Sequence, residues 1–517
     1  MSSQAALDKS SEQDYLILSH NIELLTSNSK RNEKASKMKE TGCDTQDLCE
    51  DNTFNFKDIK RKYINNLISW SFLKKISDMF QWPLGCFGNL IDNSIIHGKA
   101  TKVAIDVNCY DKKVYDRLTQ ANANTDLSAY KKADSSLEAY NDYSEKQIVY
   151  SIKDNGKGIP VEKFNQIMFS FGTKEDNTMN ANLKQDYFYR MGVTMKASCV
   201  RLANGVFILS KTENELSIGL ICHNLQTKLN IDLILTPIVN YNIKDGNYEF
   251  KSQFSLQSAN LIINEIKFLF YDIDEVFQYA NTFTTGTHIF LYDLKQLSKD
   301  PNRINCLDNF ELSVDLDSKD IIYNLFYLQT NNKDTIDASL KTYLQHLYIR
   351  HALCEIYLFG KKISEQIQLV SLYNNYKQIE DKSIDVINNS NFSIVKRENR
   401  EINYVVIDSE MYKGALVRND RMKIINLQIN PDKIPKGIYL YLNGRLICPL
   451  NQRKFGDVAS YVKQQSKKKD NNWIGYIELP VSMFDLIGNK TEFKEQTMYA
   501  YFYSKFMNLI KKINKEQ

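Results

Sequence analysis

The chain has 517 residues, 43% of them apolar and 25% charged, with 66 basic against 62 acidic side chains and a net charge of +4. These proportions belong to a folded globular protein and exclude a fibrous or wholly disordered chain. The near balance of charge demands neither nucleic acid nor an anionic membrane as partner. At roughly 100–200 residues per domain, the length accommodates two to four domains. The nine cysteines (Cys43, Cys49, Cys86, Cys109, Cys199, Cys222, Cys306, Cys354 and Cys448) form no Cys-x-x-Cys pair and no Cys/His ladder of zinc spacing. Reduced thiols in a soluble intracellular protein are therefore expected. Met1–Asp8 has neither the basic nor the apolar region of a signal peptide, and no apolar stretch approaches the ~20 residues of a membrane span.

In chain order, residues 1–55 are polar and weakly periodic, and are expected to be disordered. From Phe56 to Phe80 the positions Ile59, Tyr63, Leu67, Trp70 and Ile76 recur at near-helical spacing. Trp82-Pro83 interrupts the chain, and Leu84–His97 reads as a second helix ended by Gly98. Val103, Ile105 and Val107 alternate along a strand, residues 110–147 form a polar insertion, and Ile148–Ile152 is a second strand leading into the turn at Asp154. Ser170–Met191 reads as a polar loop and Lys196–Leu202 as a helix, with strands at Val206–Ser210, Ser217–Ile221 and Thr285–Leu294. The pattern predicts an α+β sandwich, helices on one face of a mixed sheet, over residues 56–295. A smaller α/β domain is expected over 310–496, with helix Leu340–Tyr348 and strands Cys354–Phe359, Ile424–Gln428, Gly437–Leu442 and Trp473–Leu479. A Lys-rich helix closes the chain over 497–517.

Four short segments carry candidate chemistry. In Trp82–Asn93, Asn89 and Asn93 stand four residues apart and share a helix face, and a carboxamide oxygen is a hard ligand suited to Mg²⁺. In Asp154-Asn-Gly-Lys-Gly158 the glycines admit close backbone approach, while Asp154 can accept a hydrogen bond from an exocyclic amine. Asp-Asn-Gly is equally a common turn. Met191–Ser198 leads into a helix whose amides and Lys196 suit a phosphate, without being a P-loop. Thr285-Gly-Thr-His-Ile289 is uninformative by itself.

In this order and spacing, the four segments resemble the nucleotide site of the gyrase, Hsp90, histidine kinase and MutL (GHKL) ATPase superfamily. The text is most similar to the microrchidia (MORC) ATPases: Trp82-Pro83, Leu90-Ile-Asp-Asn93, Asp154–Gly158, Ser170-Phe-Gly172, Thr178-Met-Asn180, Thr236-Pro-Ile-Val239, Gly286-Thr-His-Ile289, Asn443-Gly-Arg-Leu-Ile447 and Asn489–Phe493. The resemblance runs from about Tyr63 to Ile510. It implies a Bergerat-type GHKL domain over 56–295 and a ribosomal-protein-like transducer over 310–496. ATP and Mg²⁺ are the implied cofactors. Asn93 would hold the metal, Asp154 would accept the adenine amino group with support from Thr287, and Gly156 and Gly158 would line the base pocket. Gly192 and Lys196 would sit at the phosphates, and Lys490 would reach the γ-phosphate from the second domain. A homodimer formed with nucleotide, DNA or chromatin proteins as partners, no membrane, and a nuclear location are further implications.

Two departures qualify the likeness. The family's general-base Glu is replaced by Asn89, and an amide cannot take a proton from water. Thr194 and Ser198 stand where relatives carry lid glycines. ATP binding with weak or lost hydrolysis is therefore expected, and Asn89→Glu is expected to raise turnover. Three readings stay open: a MORC-like dimerising clamp acting in chromatin organisation or gene silencing, a catalytically dead GHKL scaffold or partner of an active paralogue, and another GHKL machine of chaperone or mismatch-repair type.

Overall fold

The computed structural model of the chain describes residues 69–80, 82–111, 146–169, 194–228, 233–251, 255–295, 310–315, 317–324, 327, 336–348 and 354–363, and farther on 384–389, 392–397, 404–408, 413–418, 437–442, 444–449, 473–479, 486 and 493. All of them belong to the compact unit Lys57–Gln517. The polar N-terminal segment, most of the insertion, residues 170–193, the strand expected at 424–428 and the Lys-rich tail lie outside the described residues.

Two helices open the described chain. In α1 (Trp70–Asp78) the Ser69 hydroxyl accepts from the Phe72 amide, a side-chain N-cap, and Trp70, Leu73 and Ser77 form its buried side. In α2 (Pro83–Ile96) proline takes the first turn, where its missing N–H costs nothing, and the helix ends at His97-Gly98 as the sequence predicts. Strands β1 (Lys102–Asp111) and β2 (Lys146–Asp154) pair antiparallel, Val103 opposite Asp154. Both strands run into the segment expected as an insertion, so that segment begins and ends inside a sheet rather than at residues 110 and 147. Next come α3 (Val161–Phe169), α4 (Thr194–Leu202), β3 (Ala203–Lys211), β4 (Glu215–Cys222), α5 (His223–Lys228), β5 (Ile238–Lys244), β6 (Asn247–Phe250), α6 (Ser255–Ile266), α7 (Ile273–Ala280) and β7 (Gly286–Leu294). The hairpin β8 (Leu312–Asp315)–β9 (Asp320–Tyr323) is followed by α8 (Leu340–His346), β10 (Glu355–Leu358) and β11 (Lys361–Lys362).

Nine strands form one mixed sheet in the order β11-β10-β1-β2-β7-β3-β4-β5-β6. Side chains alternate across it. Val206 and Ile208 of β3 join Leu84, Phe87, Leu90 and Ile91 of α2 and Ala197 and Val200 of α4 in one core. Phe207 and Leu209 point the other way and join Ile262 and Ile266 of α6 and Val276 and Ala280 of α7 in a second core. Helices thus cover both faces, not the one face expected. The reason is legible in the strands: Val206-Phe-Ile-Leu209 and Leu216–Cys222 are buried without a break, which a sheet with one solvated face does not permit.

The strand expected at Cys354–Phe359 in the second domain is β10, and it extends the first sheet instead. It runs parallel to β1, with Val103 beside Ile356 and Ile105 beside Leu358. A separate seven-stranded sheet contains β12 (Ile384–Asn389), β13 (Phe392–Arg397), β14 (Tyr404–Asp408), β15 (Lys413–Arg418), β16 (Gly437–Leu442), β17 (Arg445–Pro449) and β18 (Trp473–Leu479), ordered β12-β13-β14-β15-β18-β16-β17. The first core continues through Tyr343, Leu344, Tyr439, Tyr441 and Leu446. Trp82 stacks edge-on against Tyr343 and donates its indole N–H to the Asp337 carbonyl at 3.0 Å. The start of α2 is therefore pinned by residues some 255 positions later in the chain.

Candidate nucleotide site

Asp154 ends β2 and is 7% exposed. Its Oδ2 accepts from the Ser94 hydroxyl of α2 at 2.7 Å. Its Oδ1 accepts from two backbone amides, Gly156 at 2.9 Å and Thr287 at 3.1 Å. Burial pushes the carboxyl pKa up, and the bonds from Ser94, Gly156 and Thr287 oppose that shift by favouring the ionised form. A carboxylate offers about four lone-pair directions, so these three bonds leave one acceptor direction for a ligand. The turn after it requires glycine. Gly158 has φ +70, and a Cβ there would lie 2.1 Å from the Lys211 carbonyl. The same backbone proximity lets Ser210 serve both sides: it accepts from the Ile159 amide at 2.8 Å and shares a hydrogen bond with the Thr287 hydroxyl at 3.0 Å. The Asp154 turn, α2, β3 and β7 are so locked together.

The opposite side of α2 is engaged quite differently. With about 100° between successive residues, Asn89 and Asp92 lie on one side of the helix and Ser94 on the other. Asn89 and Asp92 are both 0% exposed. Arg445, from the start of β17 and also 0% exposed, donates from Nε to Asp92 Oδ2 at 2.7 Å and from Nη2 to Asn89 Oδ1 at 3.1 Å. Tyr348 donates to Asp92 Oδ1 at 2.5 Å. Asn89 Nδ2 donates in turn to Ser198 Oγ of α4 at 3.3 Å. Asn89 is thus a junction between α2, α4 and the β16–β17 hairpin. Asn93, one turn farther along, is only half buried, so its carboxamide retains access to solvent.

Lys196 lies in α4, two residues before Ser198, and is completely buried. Burial pushes its ammonium down to about 7. Between that value and the ordinary 10.5 the unfolded chain binds more protons than the folded one, so stability must rise with pH across this window and reach its floor below about 7. Melting temperatures of wild type and Lys196→Met across pH 6–10 test this: the wild-type rise attributable to residue 196 should vanish in the variant. Equal slopes would place the ammonium in contact with water.

Of the sequence-predicted site residues, Asp154, Gly156 and Thr287 are brought into direct contact, with Gly158 in the same turn. Asn89 and Asn93 follow on α2 and Lys196 on α4. Gly192 and Lys490 lie outside the described residues. Sequence reasoning missed Ser94, Ser210, Arg445 and Tyr348. Ser94 sits beside a recognised motif but 60 residues from its partner, and Arg445 lies 353 residues from Asp92. The cysteines expected to be reduced include Cys86, Cys199, Cys222 and Cys354, which are free and buried. Burial raises the Cys86 thiol to about 12, which leaves it unreactive.

A large mixed sheet with helices packed on it and a buried, hydrogen-bonded aspartate at a strand end before a glycine turn are consistent with an α+β fold of the GHKL type. In agreement, residues 86–244 match the family described as histidine kinase-, DNA gyrase B- and HSP90-like ATPase, so the chain carries a GHKL-type ATPase domain. No curated protein matches the chain. A solved structure described as "Crystal Structure of N terminal domain of a DNA repair protein" aligns at a TM-score of 0.32 and 10% identity, over 90% of this chain and 98% of that one. No helix among the described residues is long and apolar enough to cross a membrane.

Proposed function

We propose that the chain binds ATP with Mg²⁺ in the pocket walled by Asp154, and that it turns the nucleotide over weakly or not at all. The observation that carries this reading is the contrast between the two sides of α2. Asp154 keeps one acceptor direction unspent, suited to the adenine amino group. Asn89, where a base would stand, is an amide whose two ends are hydrogen-bonded to Arg445 and Ser198. A positioned general base contributes about 10²–10⁴-fold, and this amide cannot supply that contribution. Asn93 would hold Mg²⁺, and Gly192 and the transducer-type Lys490 would attend the phosphates, whereas Lys196 is wholly buried in α4.

In the finer form of the reading, residues 56–295 are the ATP-binding domain and 310–496 the transducer. The chain is a MORC-like clamp that dimerises with nucleotide and acts on chromatin in the nucleus. The motif order from Trp82-Pro83 to Asn489–Phe493 supports this form. A slow or absent hydrolytic step gives a long-lived closed state. Calorimetric titration with Mg²⁺ and a non-hydrolysable ATP analogue, with light scattering on the same samples, tests both levels. Binding should be saturable and abolished in its Mg²⁺-dependent part by Asn93→Ala, and the mass should double. Binding without a change of mass removes the clamp and leaves the ATP site. Absence of binding removes both.

A further inference from the structure

Arg445 is the bulkiest wholly buried side chain among the described residues. A guanidinium in that position is costly to desolvate, and an apolar side chain of similar volume commonly holds two elements together as well or better. What an ion pair adds is one fixed geometry. Here that geometry joins functional parts. Nε and Nη2 of Arg445 span Asp92 and Asn89, residues three apart on α2 and therefore neighbours on its surface. Nη1 reaches the Leu446 carbonyl, and the Leu446 amide donates to the Leu347 carbonyl at 2.8 Å, which fixes the hairpin against the end of α8. On α8 itself, Tyr343 closes over Gly88, where a Cβ would lie 2.3 Å from the tyrosine hydroxyl. Gly88, Asn89 and Asp92 form one docking stripe. Asn93 directly follows that stripe, and Ser94 directly follows Asn93. Any rotation of α2 that breaks the Arg445 contacts also moves the Ser94 hydroxyl from Asp154.

We propose that Arg445 is a positioning residue for the nucleotide site, fixing through Asn89 and Asp92 the rotation of α2 that presents Asn93 and Ser94, and so coupling nucleotide occupancy to the β16–β17 hairpin. The amide at position 89 suits this task better than a carboxylate: it accepts from the guanidinium and donates to Ser198 at once. The inference rests on the ATP-binding reading, and the test separates the two.

The full chain is titrated with Mg²⁺ and a non-hydrolysable ATP analogue as wild type, Arg445→Met, Arg445→Lys and the double variant Asp92→Leu/Arg445→Met. Hydrogen exchange of the β16–β17 hairpin in wild type is followed with and without the analogue. Arg445→Met should lose affinity by about tenfold, a typical coupling between sites. Arg445→Lys should recover part of the loss. The double variant, with no unpaired buried charge, should melt close to wild type yet keep the affinity loss. The hairpin of wild type should gain protection when the analogue binds. Wild-type affinity in the folded double variant, or a hairpin whose exchange ignores bound analogue, overturns the inference and leaves the ATP site standing. A wild type that binds no analogue overturns both.

Discussion

Asp154→Ala is expected to abolish measurable ATP binding and to destabilise the fold. Its carboxylate satisfies the Ser94 hydroxyl and the amides of Gly156 and Thr287. Each buried donor left without a partner costs about 1–3 kcal/mol, so a loss of at least about 3 kcal/mol is expected from the three unless water enters the gap. The alanine variant cannot by itself separate a ligand contact from a structural one. Asp154→Asn can. Its Oδ1 keeps the two backbone amides, while its Nδ2 can donate to Ser94 Oγ and so retains most of the local bonding. The remaining N–H then faces the base where a lone pair stood. An adenine amino group would meet a donor with a donor, whereas a 6-oxo purine would meet it with an acceptor. Asp154→Asn should therefore keep a near-native melting temperature, weaken ATP by about 100-fold, and bind inosine triphosphate better than ATP. Equal weakening of both nucleotides would mean that Asp154 shapes the pocket without reading the base.

The second large effect concerns position 89, where the structure changes what the sequence alone leads one to expect. Restoring a glutamate at a base position promises a gain of about 10²–10⁴-fold in turnover. Yet the Asn89 oxygen already lies 3.1 Å from Arg445 Nη2, with no exposure to water. A carboxylate placed there pairs with the guanidinium, and an ion pair of that kind lowers its pKa and its strength as a base. Asn89→Glu should therefore leave phosphate release at the wild-type level while Arg445 is present. Phosphate release by the single variant, measured with saturating Mg²⁺-ATP, decides between the two expectations. A rise of the full general-base magnitude would mean that Arg445 leaves residue 89 when nucleotide binds.

Neither result depends on Asp92 acting as a base. The sequence already sets Asp92 about 100° away from Asn93 around the helix. Its two oxygens are occupied by Arg445 and Tyr348. It is a structural partner in a buried ion pair, and removing one member of such a pair typically costs about 3–5 kcal/mol.

What the sequence determined by itself is everything that neighbouring residues impose on one another. Period-3.6 and period-2 apolar spacing is enough to find α2, β1, β2, β3, β4, β7 and α8 within a few residues of where they lie. Trp82-Pro83 marks the start of α2, and the glycines after Asp154 mark a turn whose backbone admits no side chain at Gly158. That residue 89 is an amide, unable to take a proton from water, is equally a one-residue fact. Tertiary structure alone decided which surfaces meet. That α6 and α7 cover the second face of the sheet, that β10 leaves its expected domain to lie beside β1, and that Ser94 holds Asp154 follow from packing between distant segments. Arg445 is the clearest case. In the sequence it is one basic residue among 66, within a short motif of its own. Only the fold carries it across 353 positions to Asp92, because a buried charge is stable only where the rest of the core encloses its partner with it.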